Sequence, residues 1–188
     1  MMDNAYQTVP LPDGNIQSGL FPTIEWFQAI AQSVDFTDAR VLDLGCCQFS
    51  YGIQALQKGA KFVAGVDHDT DRIQQSNENI RQWGFKQQVA VRKADAVDYI
   101  EALYLHFDIV IIGMLLHWLP ELQAESLLKN SFHNAQRALV VIYRQPTADG
   151  TGFCPLPTDL DFILGDFGHH EMLMETKTQR IGLAVYQK

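Results

Sequence analysis

From Ala39 onward, two hydrophobic periods take turns along the chain. Short, nearly continuous apolar runs at Val41–Leu44, Phe62–Val66, Val89–Val91, Phe107–Ile112 and Ala138–Tyr143 read as strands. Between them, apolar residues three or four apart read as helices: Phe49, Ile53 and Leu56, then Ile73, Ile80 and Trp83, then Val97, Ile100 and Leu103. The punctuation agrees. Gly45 turns the chain after the first run, Gly59 and Gly84 end helices, Asp69 or Thr70 can cap one, and Pro120 fits the first turn of a helix reaching about Asn130. Phe107–Ile112 is apolar almost throughout, as a strand covered on both faces must be. Strands alternating with helices in this way predict an α/β fold, doubly wound, with a mainly parallel sheet.

The two ends differ from this core. Residues 1–20 carry the turn Leu11-Pro12-Asp13-Gly14 and space Tyr6, Val9, Leu11, Ile16 and Leu20 at intervals, which predicts an ordered lead-in. A helix follows Pro22, with Ile24, Phe27, Ile30 and Ala31 on one stripe; Trp26 lies off it, placed either to cap a pocket or to pack on the lead-in. Residues 145–157, with Pro146, Gly150, Gly152, Pro155 and Pro157, read as a loop. Leu160–Phe167 reads as a short helix, and Glu171–Thr176 with Arg180–Tyr186 as an antiparallel edge pair. The expected organisation is one domain over 1–188: lead-in and helix to 37, core over 38–145, and C-terminal loop, helix and edge strands over 146–188.

Composition narrows the function. A length of 188 residues suits one domain of roughly 100 to 200. With 47% hydrophobic and 19% charged residues, neither disorder nor a coiled coil is indicated. The longest apolar run, Ile109–Leu116, is too short to cross a bilayer, and Met1-Met2-Asp3-Asn4 does not open a secretory signal, so a cytoplasmic location is expected. The formal charge of −8, with no basic run longer than Arg92-Lys93, argues against a nucleic-acid partner. Cys46, Cys47 and Cys154 lack zinc-ligand spacing and fit a reducing compartment, the adjacent pair reading as small apolar turn residues. His68, His169 and His170 have no acids at ligand spacing, so no metal is expected.

Gly45 and Asp67 stand 22 positions apart, close to the interval of about 20 between the first glycine and the ribose-binding acid of a βαβ nucleotide site. A dinucleotide needs glycine at the second and third positions of G-x-G-x-x-G, which here hold Cys47 and Ser50. S-adenosylmethionine has no phosphate and tolerates side chains there, and its carboxylate can use N–H groups near the helix start.

Val41-Leu42-Asp43-Leu44-Gly45-Cys46, Gly65-Val66-Asp67, Ala94-Asp95-Ala96 and Phe107 to Gly113, continuing through Leu115-Leu116-His117-Trp118-Leu119, together resemble the class I, Rossmann-like S-adenosylmethionine-dependent methyltransferases. That resemblance implies a seven-stranded sheet whose last strand is antiparallel. It also implies a cofactor-binding set of Asp43, Gly45, Cys46, Asp67, His68, Asp95, Ala96 and Gly113. Within it, Asp43 and Gly45 line the methionine end, Asp67 takes both ribose hydroxyls, Asp95 faces the adenine amine with Ala96 beside it, and the Gly113 backbone receives the methionine amino group. Two bland roles compete: Asp43 as a turn-ordering residue and Asp95 as a helix N-cap. Many members carry glycine where Phe49 stands. Its ring either lines the cleft or fills it, and filling would leave a catalytically degenerate binding or partner subunit.

Tyr6 through Gly19 is similar to the segment before the core in the family related to tRNA wobble-uridine carboxymethyltransferases, which implies a cofactor-lid role for the lead-in. On the acceptor side, His117 follows the fourth strand and is the candidate base. Tyr143 and Arg144 follow the fifth, where Arg144 suits an acceptor carboxylate or phosphate. Gly113-Met114-Leu115-Leu116 replaces the Asn/Asp-Pro-Pro-Tyr/Phe signature of base N-methylation, which points to a small-molecule acceptor with oxygen ahead of nitrogen.

Overall fold

A computed structural model describes residues 5–146, 152–166, 168–175 and 179–188. The strands, in chain order, are β1 (Ala5–Gln7), β2 (Val9–Pro10), β3 (Ile16–Gln17), β4 (Gly19–Phe21), β5 (Arg40–Leu44), β6 (Phe62–Asp67), β7 (Val89–Lys93), β8 (Phe107–Gly113), β9 (Ala135–Arg144), β10 (His169–Glu175) and β11 (Arg180–Gln187). The helices are α1 (Thr23–Ser33), α2 (Ser50–Gln57), α3 (Thr70–Trp83), α4 (Ala96–Glu101), α5 (Glu121–Asn134) and α6 (Pro157–Leu164), with a 3-10 turn at Leu116–Trp118. The strands β5 to β11 make the mainly parallel seven-stranded α/β sheet that the alternation predicts, β11 being the strand that runs against its neighbours. The chain divides into two compact units, Met1–Asp95 and Ala96–Lys188.

In the first unit β5, β6 and β7 run parallel in that order, and Asp43 lies opposite Gly65 in the β5–β6 register. The alternation of Val41, Leu42 and Leu44 with no polar outer face follows from cover on both sides: all three are fully buried. Asp69 caps α3, its carboxylate accepting from the N–H groups of Asp71 and Arg72 at 2.8 and 3.1 Å. Gly84, at φ 73°, ends that helix in the left-handed conformation that glycine enters freely.

The lead-in is more structured than its sequence pattern reveals. β1 pairs in parallel with β4, and β2 with β3 as a short hairpin around the predicted turn. Side chains of the core fasten this layer through its carbonyls: Ser50 Oγ and Thr23 Oγ donate to Thr8 O at 2.6 and 2.7 Å, and Trp83 Nε1 donates to Pro10 O at 2.9 Å. Trp26 is 2% exposed and packs its ring 5.5 Å from that of Phe21, so of its two expected roles the packing one is observed.

In the second unit β8 and β9 run parallel, and β11 pairs antiparallel with both β9 and β10. β9 begins at Ala135, three residues before the predicted strand, because α5 runs to Asn134 and passes directly into it. α6 starts at Pro157 rather than Leu160, the proline occupying a first-turn position where its missing N–H is no loss. Gly150 of the predicted loop, Phe167 of the predicted helix and Thr176 of the predicted edge strand lie outside the described residues. Asp161 of α6 ties the edge pair down: its Oδ1 accepts from Gly168 N–H at 3.1 Å and from Tyr186 OH at 2.9 Å, and lies 2.9 Å from His170 Nε2. Among the described residues no helix is long and apolar enough to cross a membrane, and no group of three or more His, Cys, Asp or Glu is placed to hold a metal ion.

Candidate functional site

The turn between β5 and α2 zigzags. Gly45, Cys47 and Phe49 take φ of 73°, 51° and 67°, left-handed values that disfavour the two side chains among them. Such a path persists only where the surroundings over-determine it. Here every N–H from Gly45 to Ser50 already has a protein acceptor. Gly45 and Cys46 both donate to Val66 O at 2.9 Å, and Phe49 donates to Cys46 O at 2.7 Å. Cys47 donates to Asp67 Oδ2 at 2.9 Å, while Gln48 and Ser50 both donate to Gln7 Oε1 at 3.2 Å. The carbonyls are held from α3, by Ser76 Oγ on Cys47 O and by Asn79 Nδ2 on Gln48 O at 2.9 Å.

A pyrophosphate needs free N–H groups at the helix start. Between Gly45 and Ser50 none is free, so that stretch offers a pyrophosphate no open N–H, besides lacking its glycines.

Asp67 ends β6 and is 8% exposed. Besides Cys47 N–H it accepts from Asp69 N–H through Oδ1 at 3.0 Å. An ionised carboxylate has about four acceptor positions, so these two bonds leave about two for a diol. His68 turns outward: its side chain is 80% exposed and its Nδ1 lies 3.7 Å from Asp67 Oδ1. Asp43 is fully buried, with no hydrogen-bond partner for either carboxylate oxygen among the described residues. Burial first, and the Asp67 charge second, push its carboxyl up to about 8, with the nearby Gly52 N–H pulling partly back without forming a hydrogen bond. Asp43 is therefore mainly an uncharged acid at neutral pH. Burial likewise raises the Cys46 and Cys47 thiols, the latter to about 12, which fits small apolar turn residues and no thiolate chemistry.

Phe49 is fully buried. Its ring lies in the space that a Cβ on Gly52 or on Gly65 would occupy, Cε2 coming within 2.7 Å of the latter position. The phenyl group that the family pattern lacks thus goes inward, between α2 and β6, into room left by two glycines.

Asp95 immediately precedes α4 and is exposed, and Ala96, the first residue of that helix, is buried. In the second unit, Gly113 closes β8, and Met114 leaves it at φ 55°, anchored by its N–H on Ile142 O at 2.8 Å. His117 follows in the 3-10 turn, its ring 4.9 Å from that of Trp118, which is 71% exposed. The Nδ1 of His117 is buried without a hydrogen-bond partner among the described residues. Burial, then the Arg144 charge, lower its pKa to about 4, so the imidazole is neutral at pH 7. Gly152, at φ 77°, lies so close to the His117 carbonyl that any Cβ there would collide with it. Tyr143 is fully buried against Gly182, which places it in packing rather than at an open surface. Gln7, Ser76 and Asn79 were not legible as site residues, because each acts from a distant element with no local motif.

A family model described as a methyltransferase domain matches residues 35–152. The ribosomal protein L11 methyltransferase of Shewanella sediminis is 35% identical over 78 residues, covering 39% of this chain and 25% of that protein. Its counterpart in Aeromonas hydrophila is 30% identical over 128 residues, covering 63% of this chain and 42% of that protein. The chain thus spans less than half the length of these curated relatives. Among solved structures, magnesium protoporphyrin IX methyltransferase from Synechocystis with bound S-adenosylmethionine superimposes with a TM-score of 0.66 at 22% identity, over 87% of this chain and 76% of that one. WbdD gives 0.74 at 18% identity, over 97% and 45%. At these identities the structural likeness carries the fold.

Proposed function

Because the chain belongs to the methyltransferase-domain family, we propose that it binds S-adenosylmethionine and transfers the methyl group to a small-molecule acceptor in the cytoplasm, with oxygen ahead of nitrogen as the atom methylated. The observation that carries this reading is the turn. Its N–H groups are all engaged, and the carboxylate of Asp67 beside it keeps acceptor capacity for two hydroxyls. That combination fits an adenosine without phosphates. The residues proposed to bind the cofactor are Asp43, Gly45, Cys46, Asp67, His68, Asp95, Ala96 and Gly113.

When bound, the cofactor would supply a sulfonium methyl already activated toward displacement, sulfur keeping the electron pair of the broken S–C bond while the acceptor's lone pair forms the new bond and its proton leaves to solvent. The chain's own task is alignment, which supplies up to about 7 to 11 kcal/mol of barrier lowering. His117, a neutral imidazole after the fourth core strand, is the residue proposed to orient the acceptor's O–H or N–H. At so low a pKa it orients that group better than it deprotonates it. The lead-in acts as part of the cofactor enclosure, in keeping with its similarity to the segment before the core in the tRNA wobble-uridine carboxymethyltransferase family.

The inward packing of Phe49 supports an enzyme over a degenerate partner subunit. A protein acceptor is the second reading, favoured by the ribosomal protein L11 methyltransferase name of the relatives. Methyl-labelled S-adenosylmethionine, incubated with the purified chain and separate small-molecule and macromolecular fractions of a cell extract, tests both. Label in the small-molecule pool alone supports the first reading, label in protein alone replaces it with the second, and label in neither refutes the transferase.

A further inference from the structure

Two N–H groups where the turn enters α2 are taken by one side chain, 41 and 43 positions earlier in the sequence. Gln7 is 3% exposed, and its Oε1 accepts from both Gln48 N–H and Ser50 N–H at 3.2 Å. The pairing is reciprocal, since the Gln7 N–H donates to Gln48 Oε1 at 2.8 Å. Gly19 makes the placement possible: β4 runs so close to the Gln7 backbone that a Cβ on Gly19 would collide with the Gln7 carbonyl. A second tie comes from Tyr6 beside it, whose ring lies 5.3 Å from the Arg72 guanidinium, and Arg72 Nη1 in turn reaches Cys47 Sγ at 3.3 Å.

We propose that Gln7 is a positioning and specificity-determining residue: its side-chain amide oxygen fills the anion seat of the turn, fixing the turn for an adenosine and excluding a phosphate. This rests on the cofactor reading above. Two non-glycine residues in left-handed conformation, Cys47 and Phe49, flank the Gln48 N–H that Gln7 holds. Their conformations are disfavoured locally and need a tertiary bond to select them. In this form Cys47 N–H reaches Asp67 Oδ2, so the hold on Gln48 and Ser50 bears on the orientation of the carboxylate that would meet the ribose. Gln7 thus acts through the turn. An oxygen acceptor is what it supplies; the amide nitrogen is not required for either bond.

The test compares wild type, Gln7→Met, which keeps length and loses the acceptor, and Gln7→Glu, which keeps an acceptor. Titration calorimetry with S-adenosylhomocysteine is read beside amide hydrogen exchange at Gln48 and Ser50. Gln7→Met is expected to weaken binding about tenfold and to speed exchange at both amides, whereas Gln7→Glu returns affinity to within about threefold of wild type with both amides protected. A folded Gln7→Met protein with wild-type affinity overturns the proposal, as does a Gln7→Glu protein no better than Gln7→Met. Should Gln7→Met not fold, exchange in Gln7→Glu decides: slow exchange supports the proposal and fast exchange overturns it. If wild type takes up no S-adenosylhomocysteine, the cofactor reading fails, while the exchange comparison still judges the hold of Gln7 on the turn.

Discussion

Replacing Gly52 with alanine asks where the Phe49 ring lies. A Cβ on Gly52 would come within 2.5 Å of Cε1 and Cε2 of Phe49, and closer still to Cζ. Carbon atoms rest about 3.5 to 4.0 Å apart, so the ring would have to withdraw by about 1 Å or more. It is fully buried, and its Cε2 already lies 2.7 Å from where a Cβ on Gly65 would stand, so withdrawal means displacing core neighbours. Overpacking of this kind costs about 1 to 3 kcal/mol. Against it, alanine is the better helix former at this position in α2, worth about 0.5 to 1 kcal/mol. The net expectation is destabilisation by about 1 to 2 kcal/mol. In a Phe49→Leu background the side chain ends short of the ring's far edge, the clash disappears and only the helix gain remains. The same substitution therefore changes sign, with a coupling of about 2 kcal/mol between sites in contact. Urea melts of the four proteins of the cycle, compared by midpoint at constant slope, measure it. If Gly52→Ala stabilises wild type as much as it does Phe49→Leu, the ring is not wedged between α2 and β6, and the argument that it leaves the cofactor turn clear collapses.

Three other outcomes follow from the same geometry. The Asp43 carboxyl is raised above its unfolded value, so its contribution is complete below about pH 4 and is lost as pH rises toward its folded value of about 8. Asp43→Asn should flatten the fall in Tm across that window, with an advantage over wild type that grows toward pH 8; parallel curves would mean the carboxyl is not buried uncharged. For Asp161, burial pushes the carboxyl up, but the bonds from Gly168, His170 and Tyr186 outweigh it and hold the group below its ordinary value. Its stabilisation is therefore present above about pH 4 and lost as pH falls below that. Asp161→Ala should cost about 1.5 to 3 kcal/mol in urea melts at pH 7 and less near pH 3, and an equal cost at both would show that the carboxylate charge is not what ties α6 to β10 and β11. His117 should keep a neutral imidazole in an NMR titration down to about pH 5, its midpoint lying near 4; a midpoint at 6 or above would place the ring in water.

The core was legible because it is built from short-range signals. Val41–Leu44, Phe62–Val66 and Phe107–Ile112 each carry a strand's apolar run, and Gly45, Gly84 and Pro120 mark ends that obey local backbone rules. Asp67 was legible for the same reason, since spacing alone puts it at the end of β6. The direction of the Phe49 ring was not, because it depends on two glycines, one of them a strand away. Nor was the closure of the turn. Gln7 reaches it across 41 positions of sequence from a strand only three residues long, whose pairing with β4 no periodicity announces. The low basicity of His117 also escaped, since no local pattern announces the burial that, with the Arg144 charge, lowers it.

The most direct test of the cofactor reading is titration calorimetry of the folded chain with S-adenosylhomocysteine and with NAD, repeated on Asp67→Ala. Saturable heat is predicted from S-adenosylhomocysteine alone, with affinity weaker by about 1.5 to 3 kcal/mol once the carboxylate is gone. Heat from NAD instead, or an affinity for S-adenosylhomocysteine that ignores the loss of Asp67, would contradict it.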